Sequence, residues 1–186
     1  MENKICAGAN FSAIFSGCQN TATGIYSDIF GGSNNAVCAN GSFIGGGSLN
    51  TIFSGSDCSF VGGGYGNHIG DIAGGAIFGS IGGGENNIIH SGANYSSIFS
   101  GQNNCVAGTY SSVLGGSGNN IPNGCSYVGI YGCNITTVCS GSFHTNCMVV
   151  QNIPISSMGG FPPVGAITGT LYYVNLGPGN CQVYVA

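Results

Sequence analysis

Residues 27–37 read Ser27-Asp28-Ile29-Phe30-Gly31-Gly32-Ser33-Asn34-Asn35-Ala36-Val37, and residues 42–52 answer with Ser42-Phe43-Ile44-Gly45-Gly46-Gly47-Ser48-Leu49-Asn50-Thr51-Ile52. Both follow the frame S-x-[IV]-x-G-G-x-x-N-x-[IV]. Apolar residues alternate with small or polar ones in each half of the frame, and alternation of period two marks a strand with one buried face. The Gly pair between the halves supplies the positive φ that a tight turn requires. Neither half carries a 3.6-residue period, and Gly at this density destabilises any helix.

Outward from these two units the frame starts again at Ser12, Ser59, Gly79, Ser96, Ser111 and Ser126. Its first apolar column is Ile14, Ile29, Ile44, Val61, Ile81, Ile98, Val113 and Val128. Its Asn column is Asn20, Asn35, Asn50, Asn67, Asn87, Asn104, Asn119 and Asn134. The second apolar column runs Ala22, Val37, Ile52, Ile69, Ile89, Val106, Ile121 and loosens to Thr136, while the Gly column fails at Tyr131. Successive units are 15, 15, 17, 20, 17, 15 and 15 residues apart. The insertions fall between the Asn and the next Ser, which makes that segment an outer turn.

A unit of this length is too short for a propeller blade or a helical repeat. It suits one coil of a parallel β-solenoid, with two strands and two turns per coil. The fold expected is therefore all-β, about eight coils with successive strands ~4.8 Å apart. The branched columns stack inside as a thin core. The Asn column forms a ladder between coils or fills a left-handed turn position, which Asn tolerates.

The positions flanking each buried [IV] face outward, yet they carry bulky apolar residues instead of charge. Phe15, Phe30, Phe99 and Leu114 follow their inward residue; Phe43, Phe60 and Tyr127 precede theirs, each with a small residue on the other side. Large-for-small compensation is what a packed surface needs. These seven residues are therefore expected between chains.

Composition excludes several functions. Of 186 residues 37 are Gly, while only one is Lys or Arg and five are Asp or Glu. A surface with one cation cannot hold a phosphate backbone, so nucleic-acid binding is excluded, as is anionic lipid bound through a basic patch. No apolar run approaches a membrane span. His68, His90 and His144 and the ten cysteines show no zinc-like spacing, and the few acids form no catalytic pair. Serine is columnar, without a nucleophile elbow. No cofactor, metal site or enzymatic activity is expected. Ten cysteines, an even set, are compatible either with disulfides or with buried thiols that fill small core positions.

At its columns the stretch over residues 3–136 resembles the head repeats of trimeric autotransporter adhesins (the YadA-like, Hep_Hag type), whose units run S-x-[AV]-[IV]-G-x-x-[AS]-x-A. Similar Ser/Ile/Gly-Gly/Asn repeats occur in phage and large-virus fibre proteins. The resemblance implies a left-handed parallel β-roll, three copies of which associate about a common axis into an adhesive or structural fibre. This unit carries an extra Gly and prefers Asn to Ala, and nothing after it resembles the adhesin neck, stalk or anchor.

Two domains are expected: the repeats over 1–146 and a small β cap or assembly module over 147–186. Asn3-Lys4-Ile5-Cys6 matches the N-x-[IV] half of the frame, so the solenoid opens mid-coil. After Cys147 come Pro154, Pro162, Pro163 and Pro178, apolar runs at 148–150, 170–174 and 182–185, a Pro/Gly linker near 158–165, and a hairpin turn at 176–180. Both ends are strand-like, and the C-terminal run 181–186 carries no charge to discourage pairing, which suggests head-to-tail contact through Asn3, Ile5, Val183 and Val185. The N-terminus lacks the basic start and apolar stretch of a classical signal peptide. The functional expectation is a homotrimeric extracellular or virion-surface fibre, able to polymerise. The runner-up is a receptor- or glycan-binding fibre mounted on a virion, with Tyr172, Tyr173 and Tyr184 as stacking platforms. An ice-binding solenoid is the third reading.

Overall fold

A computed structural model describes residues 2–138 and 140–146, together with the backbone of two strands at 171–175 and 181–185. The chain divides into two compact units, Met1–Cys147 and Met148–Ala186. The first is a parallel β-solenoid of about nine turns without a helix among its described residues. A front sheet of nine strands runs from Ala13–Ile14 to Phe143–Thr145, and a back sheet of eight runs from Lys4–Ile5 to Asn120–Ile121. Most strands are two residues long, because the chain turns as soon as one residue points in and one points out. A third row of single parallel bridges links Cys18, Ser33, Ser48, Tyr65, Glu85, Gln102 and Ser117 at the turn between the sheets.

Stacking is in register: Ile29 lies beside Ile44 and Ile44 beside Val61, while Val37 lies beside Ile52 and Ile52 beside Ile69. Ile29, Ile44, Val61, Ile81, Ile98 and Val113 from the front, and Val37, Ile52, Ile69, Ile89, Val106 and Ile121 from the back, are fully buried. Ile14 belongs to the end coil and is half-buried against the same core. Burying one such side chain contributes roughly 1.5–3 kcal/mol, and twelve of them in two facing columns form the core of the rod.

The Asn column is a continuous ladder. In the pair Asn50 and Asn67, the Asn67 main-chain N–H and Nδ2 both donate to Asn50 Oδ1, at 3.0 and 3.2 Å. The same pairing runs from Asn20 through Asn35, Asn87, Asn104 and Asn119. Asn3 is its first rung, accepting from Asn20 N and Nδ2. The left-handed conformation falls to the residue just before each rung, among them Gln19, Asn34, Leu49, Asn86 and Asn103. A parallel serine ladder holds the other turn: Ser27 N donates to Ser12 Oγ, Ser59 N to Ser42 Oγ, and Ser111 N to Ser96 Oγ.

The eighth coil does not sit where the repeat frame places it. Gly129 and Ile130 pair with Ser112 and Val113, so Ile130, not Val128, continues the front core column. Val128 instead occupies the serine position, its N–H donating to Ser111 Oγ, and is buried there. The Asn column ends at Asn119, because Ile135 takes the next rung and donates its N–H to Asn119 Oδ1. Asn134 is the left-handed residue before that rung, with φ 54°. A one-residue bulge at Leu114 absorbs the difference, after which Gly116 meets Gly132, so the Gly column continues past Tyr131. In the back core Thr137, adjacent to the Thr136 bridge, is buried; its Oγ1 has no hydrogen-bond partner among the described residues.

The front sheet has one further strand, Phe143–Thr145, which places His144 beside Ile130 and hydrogen-bonds its Nε2 to Ser142 Oγ at 2.8 Å. The Asn146 side chain accepts from Cys133 N and donates to Cys133 O, closing the bridge row with a side chain. In the second unit, Leu171–Asn175 and Cys181–Val185 form an antiparallel pair in which Leu171 faces Val185, Tyr172 faces Tyr184 and Tyr173 faces Val183. The apolar run at 148–150, the linker near 158–165 and the turn at 176–180 lie outside the described residues.

Candidate assembly face

The outer side of the front sheet carries two neighbouring rows of aromatic residues. Strand alternation turns both flanks of each buried residue outward. One row is built on those flanks. Phe15 and Phe30 stand with ring centroids 4.7 Å apart, Phe30 and Phe43 at 6.0 Å, and Phe43 and Phe60 at 5.8 Å. The row crosses from the residue after the buried one to the residue before it without losing ring contact. It is interrupted at the fifth coil by Ser80 and Gly82 and resumes with Phe99, Leu114 and Tyr131. Phe15 is 62% exposed and Phe99 60%.

The crossing has a steric reason. A Cβ placed on Gly45 would lie 3.6 Å from the Phe43 ring, and one on Gly62 3.4 Å from the Phe60 ring. Each ring therefore lies over the glycine two residues on, and the same backbone positions approach the carbonyl of the next coil at 2.3 Å from such a Cβ. No side chain larger than hydrogen fits there.

The second row was not singled out by the repeat frame. It occupies the residue just before the serine column: Phe11, Tyr26, Phe78, Tyr95, Tyr110 and Tyr127, all in the left-handed region with φ between 52° and 59°. Tyr127 thus belongs to this turn row and not to the flanking row, which Tyr131 continues; the two-residue slip of the eighth coil is the cause. Phe11 stacks on Tyr26 at 4.9 Å, and Phe78, Tyr95, Tyr110 and Tyr127 stack in sequence at 5.1, 5.0 and 5.0 Å. Its signal in the sequence is an aromatic residue directly before the first position of five of the eight repeat frames, at Phe11, Tyr26, Phe78, Tyr95 and Tyr110.

The two rows are coordinated. Most coils with an aromatic residue at the turn place their bulky flank after the buried residue, among them Tyr26 with Phe30, Tyr95 with Phe99, Tyr110 with Leu114 and Tyr127 with Tyr131, while the fifth coil, with Phe78 at its turn, has only the small Ser80 and Gly82 on its flanks. Where the turn residue is small, at Gly41, Cys58 and Gly141, the bulky flank comes before it, as Phe43, Phe60 and Phe143. The surface is thus kept level along the rod. About a dozen half-exposed side chains, at roughly 100 Å² each, amount to about 1,200 Å². That is above the 300–600 Å² of a typical monomer's largest apolar patch and is the scale of one side of a stable interface.

The chemistry-bearing residues lie elsewhere and do not converge. His68 stands on the outer side of the back sheet against the edge of the Phe53 ring, and burial pushes its imidazole below the ordinary value. Asp71 sits in the longest insertion, accepting from the Ala73 and Ser91 N–H groups and meeting His90 Nδ1 at 3.3 Å; these bonds, the Ala73 one first, hold its carboxyl below the ordinary value. Burial pushes the Cys105 thiol up. The seven described cysteines, Cys6, Cys18, Cys38, Cys58, Cys105, Cys125 and Cys133, are free thiols. Among the described residues, no group of three His, Cys, Asp or Glu side chains is placed to hold a metal ion. No helix among them is long and apolar enough to cross a membrane.

At the rod's N-terminal end, Lys4–Ile5 and Ala13–Ile14 are the edge strands of the two sheets, and Ile5 is 48% exposed. The Asn ladder starts there at Asn3 and stops at the other end at Ile135. Val183 and Val185 lie on Cys181–Val185, one strand of the antiparallel pair in the second unit. No family model, no curated protein and no solved structure matches the chain.

Proposed function

We propose that the protein is a structural or adhesive fibre subunit that assembles as a homotrimer through its front face. The observation that carries this reading is the level double row of exposed aromatic residues on a rod with almost no charge. Phe15, Phe30, Phe43, Phe60, Phe99 and Leu114 supply the contact, together with Tyr131 and the turn row that includes Tyr127. The occupant is a second and third copy of the chain, because the face is apolar, extends along the rod and carries little charge beyond Asp28 and Asp57. A charged or hydrophilic partner finds nothing to pair with there.

Sedimentation equilibrium of the full chain tests the reading. A trimer at micromolar concentration is expected, and the double variant Phe43→Ser/Phe60→Ser, which leaves Ile44 and Val61 of the core column in place, is expected to sediment as a monomer with the rod's circular dichroism intact. A monomeric wild type at that concentration overturns the proposal. The open N-terminal edge supports a further contact at the rod end, the source of head-to-tail filaments. The other side of that contact is assigned to the second unit, with Val183 and Val185 meeting Asn3 and Ile5 of the next copy. Filaments that still grow after deletion of residues 1–10 would remove it. An extracellular or virion-borne setting accords with such a fibre.

A further inference from the structure

The turn row asks for an explanation that trimer contact alone does not give. A residue with a Cβ in the left-handed region is strained by roughly 1 kcal/mol relative to Gly, and the other turn fills most of its corresponding places with residues that tolerate it, Asn34, Asn86, Asn103, Gly66 and Gly118, with Gln19 and Leu49 the exceptions. In the aromatic turn, three consecutive coils instead carry tyrosine. Tyr95 and Tyr110 stack at 5.0 Å with 1° between ring planes, and Tyr110 and Tyr127 at 5.0 Å with 2°. All three are at least half exposed. Of the other described tyrosines, Tyr26 stacks on Phe11, and neither Tyr65 nor Tyr131 stacks on another tyrosine.

We propose that Tyr95, Tyr110 and Tyr127 form an oxidative cross-linking site, at which one-electron oxidation couples phenols of consecutive coils into dityrosine. The oxidant is of the peroxide-driven peroxidase class. Hydrogen peroxide takes one electron and one proton from each of two phenols and leaves as two waters. The two phenoxyl radicals join through a carbon–carbon bond between their ortho positions. Each joined carbon then loses its hydrogen to the adjacent oxygen, restoring two phenols. The net change is two tyrosines plus one peroxide giving one dityrosine plus two waters.

Stacking favours this step in two ways. A radical formed on any of the three rings has a second phenol already beside it, so coupling proceeds at the high effective concentration of an intramolecular reaction. The stack also lets the radical pass along the row to the pair best placed to couple. The product staples coils that are 15 or 17 residues apart along the chain, locking the C-terminal half of the rod against local unzipping. Both partners belong to one chain, so coupling needs no second copy, and it takes place on the unassembled chain, before the front-face contact covers the row.

The test is limited oxidation of the full-length protein, at dilute concentration, with a haem peroxidase and limiting hydrogen peroxide. Dityrosine fluorescence is followed and cross-linked peptides are mapped by mass spectrometry. The expected result is Tyr95–Tyr110 or Tyr110–Tyr127 peptides, with no increase in chain mass on a denaturing gel. Tyr110→Phe keeps the ring stack but breaks both tyrosine pairs. It is expected to retain wild-type melting and to lose the cross-linked peptides of this row. Coupling that maps to Tyr26, Tyr65, Tyr131 or the C-terminal tyrosines, coupling only between chains, or an undiminished yield in Tyr110→Phe overturns the proposal.

Discussion

Replacing Asn67 by Ala removes the centre of the Asn ladder. The Asn67 Nδ2 donates to Asn50 Oδ1, Gly63 O and Gly84 O, while its Oδ1 accepts from Asn87 N and Nδ2, all at 3.0–3.2 Å. Not all of these losses leave an orphan. Asn50 Oδ1 keeps the Asn67 main-chain N–H, Gly84 O keeps Tyr65 N, and Asn87 Nδ2 keeps Gly83 O and Gly101 O. Asn87 N loses its side-chain partner where Asn67 and Asn87 have no exposed surface, and Gly63 O loses its partner at a half-buried position. An unsatisfied buried group costs about 1–3 kcal/mol, so the pair amounts to about 3 kcal/mol. For a chain of this size that is a fall in Tm of roughly 9 °C. Asn3→Ala is the internal control: the same chemistry at an exposed end rung should cost only about 1 kcal/mol. Thermal unfolding followed by circular dichroism reads both. A Tm loss in Asn67→Ala no larger than in Asn3→Ala would refute the view that the ladder is worth its buried hydrogen bonds.

Glycine variants separate close approach from mere flexibility. Gly64 has φ +93° and an added Cβ would lie 2.1 Å from Gly84 O, so Gly64→Ala should abolish soluble folded protein; Gly46, with nothing within 4 Å, should accept Ala with unchanged or slightly raised Tm. The corrected eighth coil predicts that Ile130→Ser loses about 2–4 kcal/mol in denaturant unfolding, while Val128→Ser, which restores the serine ladder, loses under about 1 kcal/mol; equal losses would return the column to Val128. His68 contributes a pH dependence. Its folded-state pKa lies below the ordinary 6.5, so the unfolded chain binds the proton more readily, and stability falls as pH drops through 6.5 and levels off below the folded value. His68→Gln should flatten that part of the Tm–pH curve, and an identical curve would show that the ring does not titrate differently on folding.

Most of the rod can be read along the chain because a solenoid makes sequence neighbours of the repeat into spatial neighbours. Ile29, Ile44 and Val61 recur at one frame position, and each packs on the next, so a column in the alignment of units is a column in space. The first rung, Asn3, is legible for the same reason. The place of Ile130 is not. Alternation of period two is unchanged by a slip of two residues, so Val128 and Ile130 both satisfy the inward pattern. What distinguishes them is the ladder partner, Ser111 Oγ for one and Val113 for the other, together with the bulge at Leu114. The turn row was equally hidden, since a tyrosine in the left-handed region has no local sequence preference to reveal it; Tyr95, Tyr110 and Tyr127 are held there by backbone bonds from the coil before, such as Tyr110 N to Asn94 O. Periodicity along the chain therefore sets which residues stack, while register at the irregular coil and the direction of the turn side chains arise only when one coil is laid against the next.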